Sequence, residues 1–169
     1  MVEIVKTFNT DKIQHGYLPH YEKHLDFEWE SLLEIGVYKG ESMRMWKESF
    51  PDKKLYGLDL FVMDPIPYVD GVQWFVGGQT DGNLLGQVRG HNIDVIIDDG
   101  SHNSRDQWMT FWALFRSCKL YVVEDLHCCK EPFYREGLEF NETMLGQMLL
   151  GKFPFRFDLR ENIAFIYAD

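Results

Sequence analysis

An open α/β sheet, mostly parallel, with helices on both faces and an antiparallel hairpin at its C-terminal end, is the fold class that this sequence predicts. Apolar segments of strand length alternate with helical segments, as in parallel strands joined by crossover helices. Several of the apolar segments are nearly continuous, which is typical of strands covered on both faces. A length of 169 residues suits one compact domain. We therefore expect a single domain over 1–169, with an N-terminal helical segment at 1–30 and the sheet-containing core at 31–169.

The individual elements are predicted from local periodicity and from turn residues. Strands are predicted at 31–37, 55–60, 72–76, 93–98 and 120–124, and helices at about 40–49, 80–89, 103–116 and 135–151. Pro19 in the first turn of "YLPHYEKHLD" predicts a further helix before the first strand. The terminal segment "FRFDLRENIAFIYAD" has two alternating apolar runs divided by polar residues, which predicts a β-hairpin. We interpret "VMDPIPYVDG" at 62–71 as a proline-rich loop.

Composition argues against several classes of function. The formal net charge is -10 and the 17 Lys and Arg residues are scattered, which is atypical of a nucleic-acid binder. No stretch approaches the apolar length of a membrane span, and "MVEIVKTFNTDK" lacks the features of a secretory signal. The odd set Cys118, Cys128 and Cys129 argues against a disulfide or zinc framework. We expect an unexported, cytoplasmic protein that binds neither nucleic acid nor membrane.

The end of the first predicted strand, "LLEIGVYKGES", contains Glu34, Gly36 and Gly40 next to a helix start. Glycines in such a place let the backbone approach a ligand closely, and the helix N-terminus offers free N–H groups. The spacing differs from the G-x-G-x-x-G fingerprint of nicotinamide dinucleotide sites. Asp59 ends the second strand, where an acidic residue can accept hydrogen bonds from both hydroxyls of a ribose. The alternatives are a glycine turn without a ligand and a solvated aspartate at a strand end.

Two acidic clusters follow apolar strands, in "IDVIIDDGSHNSRDQW" and in "LYVVEDLH". Ligands bind at the carboxyl ends of the strands in open α/β sheets, so we expect both clusters at one site. Carboxylates that converge there repel one another unless a cation holds them together. Asp99, Glu124 and Asp125 offer oxygen ligands, which favours Mg²⁺, or Mn²⁺ or Ca²⁺, over zinc. The alternative is a set of acidic residues that cap helices or face solvent.

Together these motifs carry a resemblance to a known family. "LLEIGVYKGES", "LYGLDL", "DDGSH" and "VVEDLH" resemble the class I S-adenosylmethionine-dependent methyltransferases, which have a Rossmann-like core. Within that class the chain is more similar to the metal-dependent sugar O-methyltransferases of macrolide biosynthesis, the mycinamicin and demethylmacrocin group. The N-terminal "TDKIQHGYLPHYEKHL" also resembles that group, so the likeness spans nearly the whole chain. A looser resemblance is to cephalosporin-hydroxylase-like proteins.

The resemblance implies roles for particular residues. It places Asp99, Glu124 and Asp125 on the metal, and it makes His102 the general base for the attacking hydroxyl. It also implies a set of contacts with S-adenosylmethionine, namely His15, Tyr17, Glu34, Gly36, Gly40, Asp59, Gln79, Asp81 and Asp98. In this set the segment from His15 to Tyr17 would fold over the cofactor as a lid. Asp98 is expected on the opposite side from Asp99, because strand side chains alternate, and would meet the amino group of the cofactor.

Structural alternatives stand beside these roles. His102 could cap the helix at 103–116, and the segment containing Gln79 and Asp81 could form a plain turn. Asp11 and Lys12 could form an exposed salt-bridged turn instead of part of a lid.

The sequence thus predicts an enzyme that moves a methyl group from S-adenosylmethionine to a hydroxyl of a small molecule, using a divalent metal and His102. A sugar or a glycosylated natural product is the expected acceptor. The alternatives are a catechol-type or cephalosporin-hydroxylase-like methyltransferase and a non-catalytic module that binds S-adenosylmethionine. Self-association as a homo-oligomer is left open.

Overall fold

The computed structural model describes residues 2–60 and 66–168, which contain one seven-stranded sheet. The strands are β1 (Ser31–Ile35), β2 (Lys54–Asp59), β3 (Val72–Val76), β4 (Val95–Asp98), β5 (Leu120–Val123), β6 (Phe157–Arg160) and β7 (Ile163–Tyr167). Their order across the sheet is β3-β2-β1-β4-β5-β7-β6. Strands β1 to β5 run parallel, whereas β7 is antiparallel to β5 and to β6. The predicted fold class is confirmed, including the C-terminal hairpin.

Helices precede the sheet and connect its strands. They are α1 (Asp11–Gln14), α2 (Leu18–His24), α3 (Glu41–Ser49), α4 (Gly82–Arg89), α5 (Ser104–Leu114), α6 (Pro132–Arg135) and α7 (Met144–Leu149). Pro19 stands in the first turn of α2, as predicted. Within the described part of the chain, every helix is too short or too polar to cross a membrane. The predicted loop at 62–71 falls partly outside the described residues.

The helix predicted at 135–151 is wrong as a continuous element. Glu136 and Gly137 have φ angles of 48° and 83°, which lie outside the right-handed helical region and end α6. A 3-10 turn at Phe140–Glu142 follows, and α7 starts afresh. Thr143 caps α7, because its hydroxyl accepts a hydrogen bond from the Gly146 amide at 3.1 Å. Periodicity predicted the apolar face but not this interruption.

Side chains along the central strands point alternately to the two faces of the sheet, and each face has its own hydrophobic core. Leu33 and Ile96 pack on the face covered by α4, α5 and α7. Leu32 and Ile97 pack on the opposite face, under α2 and α3. Because the alternation continues to the strand ends, it also decides which face each acidic side chain reaches.

Gly36 holds the end of β1 against the end of β4. Its φ of 84° lies in the left-handed region, and a Cβ built on it would come 2.0 Å from the carbonyl oxygen of Asp99. The Asp99 amide donates to the carbonyl oxygen of Ile35 at 2.9 Å. The two strand ends therefore meet through main-chain contacts that leave no room for a side chain.

Gly36→Ala should destabilise the fold by about 2–4 kcal/mol, because the methyl group is strained at this φ and collides with the main chain. Gly82→Ala is the matched control, since a Cβ on Gly82 in the first turn of α4 meets nothing within 4 Å. It should leave the free energy of unfolding unchanged or raise it by up to about 1 kcal/mol. Urea unfolding followed by circular dichroism measures both variants. A Gly36→Ala variant as stable as the wild-type chain would contradict the close approach.

Candidate active site

A cavity of about 560 Å³ opens at the carboxyl ends of the central strands. Its walls come from the end of β2 and from the loops after β1 and β4, which contribute Gly36, Asp59, Asp99 and His102. The N-terminal segment forms the remaining wall with Asn9, Thr10, Asp11 and Gln14. No site role was predicted for Asn9, Thr10 and Gln14. The position matches the general rule that open α/β sheets bind ligands outside the carboxyl ends of their strands.

Asp59 shapes the glycine loop on one side of this cavity. Its Oδ2 accepts hydrogen bonds from the amides of Val37 and Tyr38, at 2.7 and 2.9 Å. These bonds hold the main chain after Gly36 in a tight turn. The structure therefore places Gly36 and Asp59 where they were predicted, at one cavity wall.

The ammonium group of Lys12 is a fully buried charge at the site. Its Nζ lies 2.7 Å from Asp99 Oδ2, 2.9 Å from Glu124 Oε2 and 3.0 Å from Glu34 Oε1. These three carboxylates extend from the ends of β4, β5 and β1. Burial alone would lower the pKa of Lys12, but the three negative charges outweigh burial and hold the pKa well above its usual range. Lys12 is therefore a charged, buried counter-ion.

The exposed turn considered for Lys12 is thus wrong. Asp11 is exposed and lines the cavity, but Lys12 points inward from α1 to the sheet. Carboxylates that converge at the ends of strands need a positive charge beside them, and the sequence predicted this requirement. The sequence did not show which of its 17 basic residues supplies it.

Glu124 and Glu34 lie in this buried cluster, behind the cavity wall. Glu124 accepts a hydrogen bond from the Tyr21 hydroxyl with its other oxygen, Oε1. Burial raises the pKa of Glu124 and of Glu34, and the charge of Lys12 opposes that shift in both. Glu124 was predicted to bind a metal, and Glu34 was predicted to contact the cofactor. In the structure both carboxylates contact Lys12 instead.

Asp99, His102 and Asp125 form a second group, which borders the cavity. One potential ligand atom from each lies within 4.8 Å of the others. His102 Nε2 is 3.9 Å from Asp125 Oδ2, and His102 Nδ1 is buried without a hydrogen-bond partner among the described residues. His102 and Asp125 have φ angles of 58° and 51°, a conformation that costs energy in residues other than glycine. The structure therefore brings together three of the four residues predicted for metal binding and catalysis.

The segment predicted to be a lid touches Asp125. The Tyr17 hydroxyl donates to Asp125 Oδ1 at 2.7 Å, and His15 Nδ1 lies 3.4 Å from the same oxygen. Burial raises the pKa of Tyr17, and the hydrogen bond to Asp125 adds to this shift. Tyr17 is buried, so this part of the segment is packed into the site rather than raised above it.

Asp98 lies on the other face from Asp99, as the alternation predicted. It accepts hydrogen bonds from the Tyr121 hydroxyl at 3.0 Å and from Gln79 Nε2 at 3.3 Å. Gln79 Oε1 in turn accepts from the Ser101 amide at 2.6 Å. Burial raises the pKa of Asp98 to about 6, although the bond from Tyr121 opposes the shift. Asp98 and Gln79 thus brace the loop after β4 from inside the fold.

Two other residues predicted to contact the cofactor stand at helix starts. Asp81 caps α4, because its carboxylate accepts from the amides of Asn83 and Leu84. Gly40 precedes α3 with a φ of 80°, and a Cβ there would come 2.7 Å from Pro67. Neither residue is part of the cavity wall described above.

Comparison with known proteins places this geometry in context. The mycinamicin VI 2''-O-methyltransferase of Micromonospora griseorubida is 40% identical over 152 residues, which cover 78% of this chain and 37% of that protein. The demethylmacrocin O-methyltransferase of Streptomyces fradiae is 35% identical over 127 residues, covering 66% of this chain and 32% of that protein. No established family profile matches the sequence.

A solved structure shares the whole core. The MycE methyltransferase of the mycinamycin biosynthetic pathway, in complex with Mg, SAH and mycinamycin VI, superposes with a TM-score of 0.76 at 30% identity, over 89% of this chain and 49% of that one. The chain is a relative of the sugar O-methyltransferases. It has the class I methyltransferase fold, and the resemblance predicted from its motifs is confirmed. This methyltransferase-like chain spans less than half the length of the curated relatives described above.

Asp98→Asn tests the buried charge behind the loop. The pKa of Asp98 in the folded chain, about 6, exceeds its ordinary value of 3.8, so the folded state binds more protons between these two values. Above pH 6 Asp98 is ionised in both the folded and the unfolded chain, and its buried charge destabilises the fold fully. As the pH falls from 6 toward 3.8 the folded chain takes up the proton first, so the wild-type chain gains stability relative to the variant. From pH 8 to pH 5 it should gain about 1 kcal/mol of unfolding free energy relative to the variant. Urea unfolding at both pH values measures this; a pH-independent difference would contradict the assignment.

Proposed function

We propose that this chain catalyses methyl transfer from S-adenosylmethionine to a hydroxyl of a small molecule, with a sugar or a glycosylated natural product as acceptor. The observation that carries the proposal is the group of Asp99, His102 and Asp125, of which Asp99 and His102 line the cavity. It occurs in a fold shared with a relative that was solved with Mg and SAH. The net charge of -10 fits a cationic sulfonium donor better than a polyanionic nucleic acid.

Residues of the glycine loop would bind the cofactor. Gly36 brings the main chain to the cavity without a side chain, and Asp59 fixes the turn beside it. An acidic residue at this strand end can also accept hydrogen bonds from a ribose. The other predicted contacts with the cofactor already make bonds inside the fold, which favours a role in supporting the cavity walls. These residues are His15, Tyr17, Glu34, Gly40, Gln79, Asp81 and Asp98.

The donor atoms of the site fit a hard divalent cation. Asp99 and Asp125 present carboxylate oxygens near one another, which suits Mg²⁺, Mn²⁺ or Ca²⁺. One ammonium group, on Lys12, faces the carboxylates of Glu34, Asp99 and Glu124, so negative charge remains to be balanced. Asp99 and Asp125 would hold the ion, with Glu124 as the predicted third ligand. A bound ion would lower the pKa of an acceptor hydroxyl and orient it.

His102 is the proposed general base. It lines the same cavity as Gly36 and Asp59, so its imidazole can reach a hydroxyl beside the cofactor. His102 would accept the hydroxyl proton while the oxygen–carbon bond forms and the carbon–sulfur bond breaks, which leaves S-adenosylhomocysteine as the second product. The strained φ of 58° indicates that the surrounding loop holds the main chain of His102 in place.

The first test is whether the chain binds cofactor and needs a metal. Calorimetry should detect binding of S-adenosylhomocysteine, and transfer of a labelled methyl group should occur to mycinamicin VI or to a member of a glycosylated polyketide panel. EDTA should suppress turnover by at least about 100-fold, and added Mg²⁺ should restore it, because the ion orients and acidifies the hydroxyl. Full turnover in EDTA would contradict the metal role. Binding without any product across the panel would favour a non-catalytic module.

His102→Ala should lower kcat by about two to four orders of magnitude while cofactor affinity changes little, in line with general-base contributions. His127→Ala is the matched control, because His127 also follows a central strand but is exposed. Initial rates from labelled methyl transfer, together with calorimetry, separate the two effects. If His102→Ala abolished cofactor binding, His102 would have a structural role instead.

A further inference from the structure

Lys12 takes no part in the methyl transfer described above, yet its charge is fully buried at the site. Its ammonium is within 3.0 Å of carboxylates from the ends of three strands. Two of its partners, Asp99 and Glu124, belong to the predicted metal ligands. A buried ammonium group with three close counter-charges sets both the separation and the net charge of those carboxylates.

Further bonds join the same N-terminal segment to the strand ends. Tyr17 donates to Asp125, and Tyr21 donates to Glu124. Short helical turns fix the main chain between these anchors, with the Tyr17 amide donating to the Lys12 carbonyl oxygen at 2.9 Å and the His15 amide to that of Asp11 at 2.7 Å. Residues 9–17 therefore reach the sheet through polar side chains that also contact the acidic cluster.

We propose that Lys12 is a positioning residue, whose ammonium spaces Asp99 and Glu124 for metal binding and fastens residues 9–17 as a fixed wall of the cavity. The metal half of this statement rests on the proposed function, whereas the fastening half does not. Without the ammonium, the carboxylates of Glu34, Asp99 and Glu124 would repel one another in a buried setting. They would separate, and α1 would lose its ion pairs to the strand ends, which leaves the packing of Ile13 and the bonds of the flanking tyrosines to hold it.

Lys12→Met in the full 169-residue chain tests both halves, because methionine keeps much of the length and apolar stem but lacks the charge. Mn²⁺ titration followed by electron paramagnetic resonance should show metal affinity at least about tenfold weaker, as found when supporting groups around metal ligands are removed. Hydrogen exchange of the metal-free chain should be at least about tenfold faster at residues 13–17 and unchanged at 95–98. Lys6→Met is the control, because Lys6 lies close by in the chain and also forms an ion pair, with Glu22, but its own side chain is 58% exposed. It should leave both measurements unchanged.

The opposite results are also informative. Tighter Mn²⁺ binding by Lys12→Met would mean that the ammonium competes with the ion for the carboxylates, and it would overturn the metal half. Wild-type exchange at residues 13–17 would overturn the fastening half. If the wild-type chain bound no Mn²⁺, the proposed metal site would fail, and the exchange measurement would still decide whether Lys12 fastens the segment.

A double variant keeps the test valid if Lys12→Met does not fold. Lys12→Met with Glu34→Gln removes one positive and one negative charge. The remaining carboxylates therefore repel one another less than they do in Lys12→Met alone. This variant should fold, yet it should still exchange rapidly at residues 13–17. Wild-type protection and wild-type Mn²⁺ affinity in the double variant would show that the ammonium is dispensable. Glu34→Gln alone completes the cycle and isolates the coupling between the two residues.

Discussion

The placement of one cation among several buried carboxylates is the constraint on which this site depends. Parallel strands deliver Glu34, Asp99 and Glu124 to a single sheet edge, where burial makes isolated negative charge very costly. Lys12 offsets part of that cost through close contacts with all three. The remaining negative charge includes Asp99, which lines the cavity, and the neighbouring Asp125, and these are the two residues proposed to hold an ion. Fold stability and proposed catalysis therefore draw on the same charges.

Because side chains alternate along a strand, the neighbouring residues Asp98 and Asp99 lie on opposite faces of the sheet and have different partners. Asp98 turns toward α5 and is held by Tyr121 and Gln79, whereas Asp99 turns toward Lys12 and the cavity. A shift of one residue in the β4 register would exchange these positions and destroy both arrangements. The two hydrophobic cores on the sheet faces fix that register, so the packing of Ile96 and Ile97 indirectly orients the acidic cluster.

Much of the fold and part of the site could be predicted from the sequence, for identifiable physical reasons. Apolar periodicity predicted the strands, and the glycine and acidic motifs at their ends predicted a site at one edge. Periodicity could not predict the break at Glu136 and Gly137, because a left-handed turn leaves no apolar signature. The burial of Lys12 was also missed, since two of its three carboxylate partners lie 87 and 112 residues away in sequence. Local patterns carry no information about contacts over such distances.

Those separations also bear on the order in which the molecule acquires its structure. Lys12 is synthesised first but meets Asp99 and Glu124 only after the chain has extended by 87 and 112 residues. Contacts this distant in sequence form late, because closing long loops costs entropy before any interaction repays it. The three carboxylates around Lys12 also come together only when β1, β4 and β5 have paired. Pairing of the central strands should therefore precede the ion pairs of Lys12, so the cavity wall at residues 9–17 forms on a sheet that already exists.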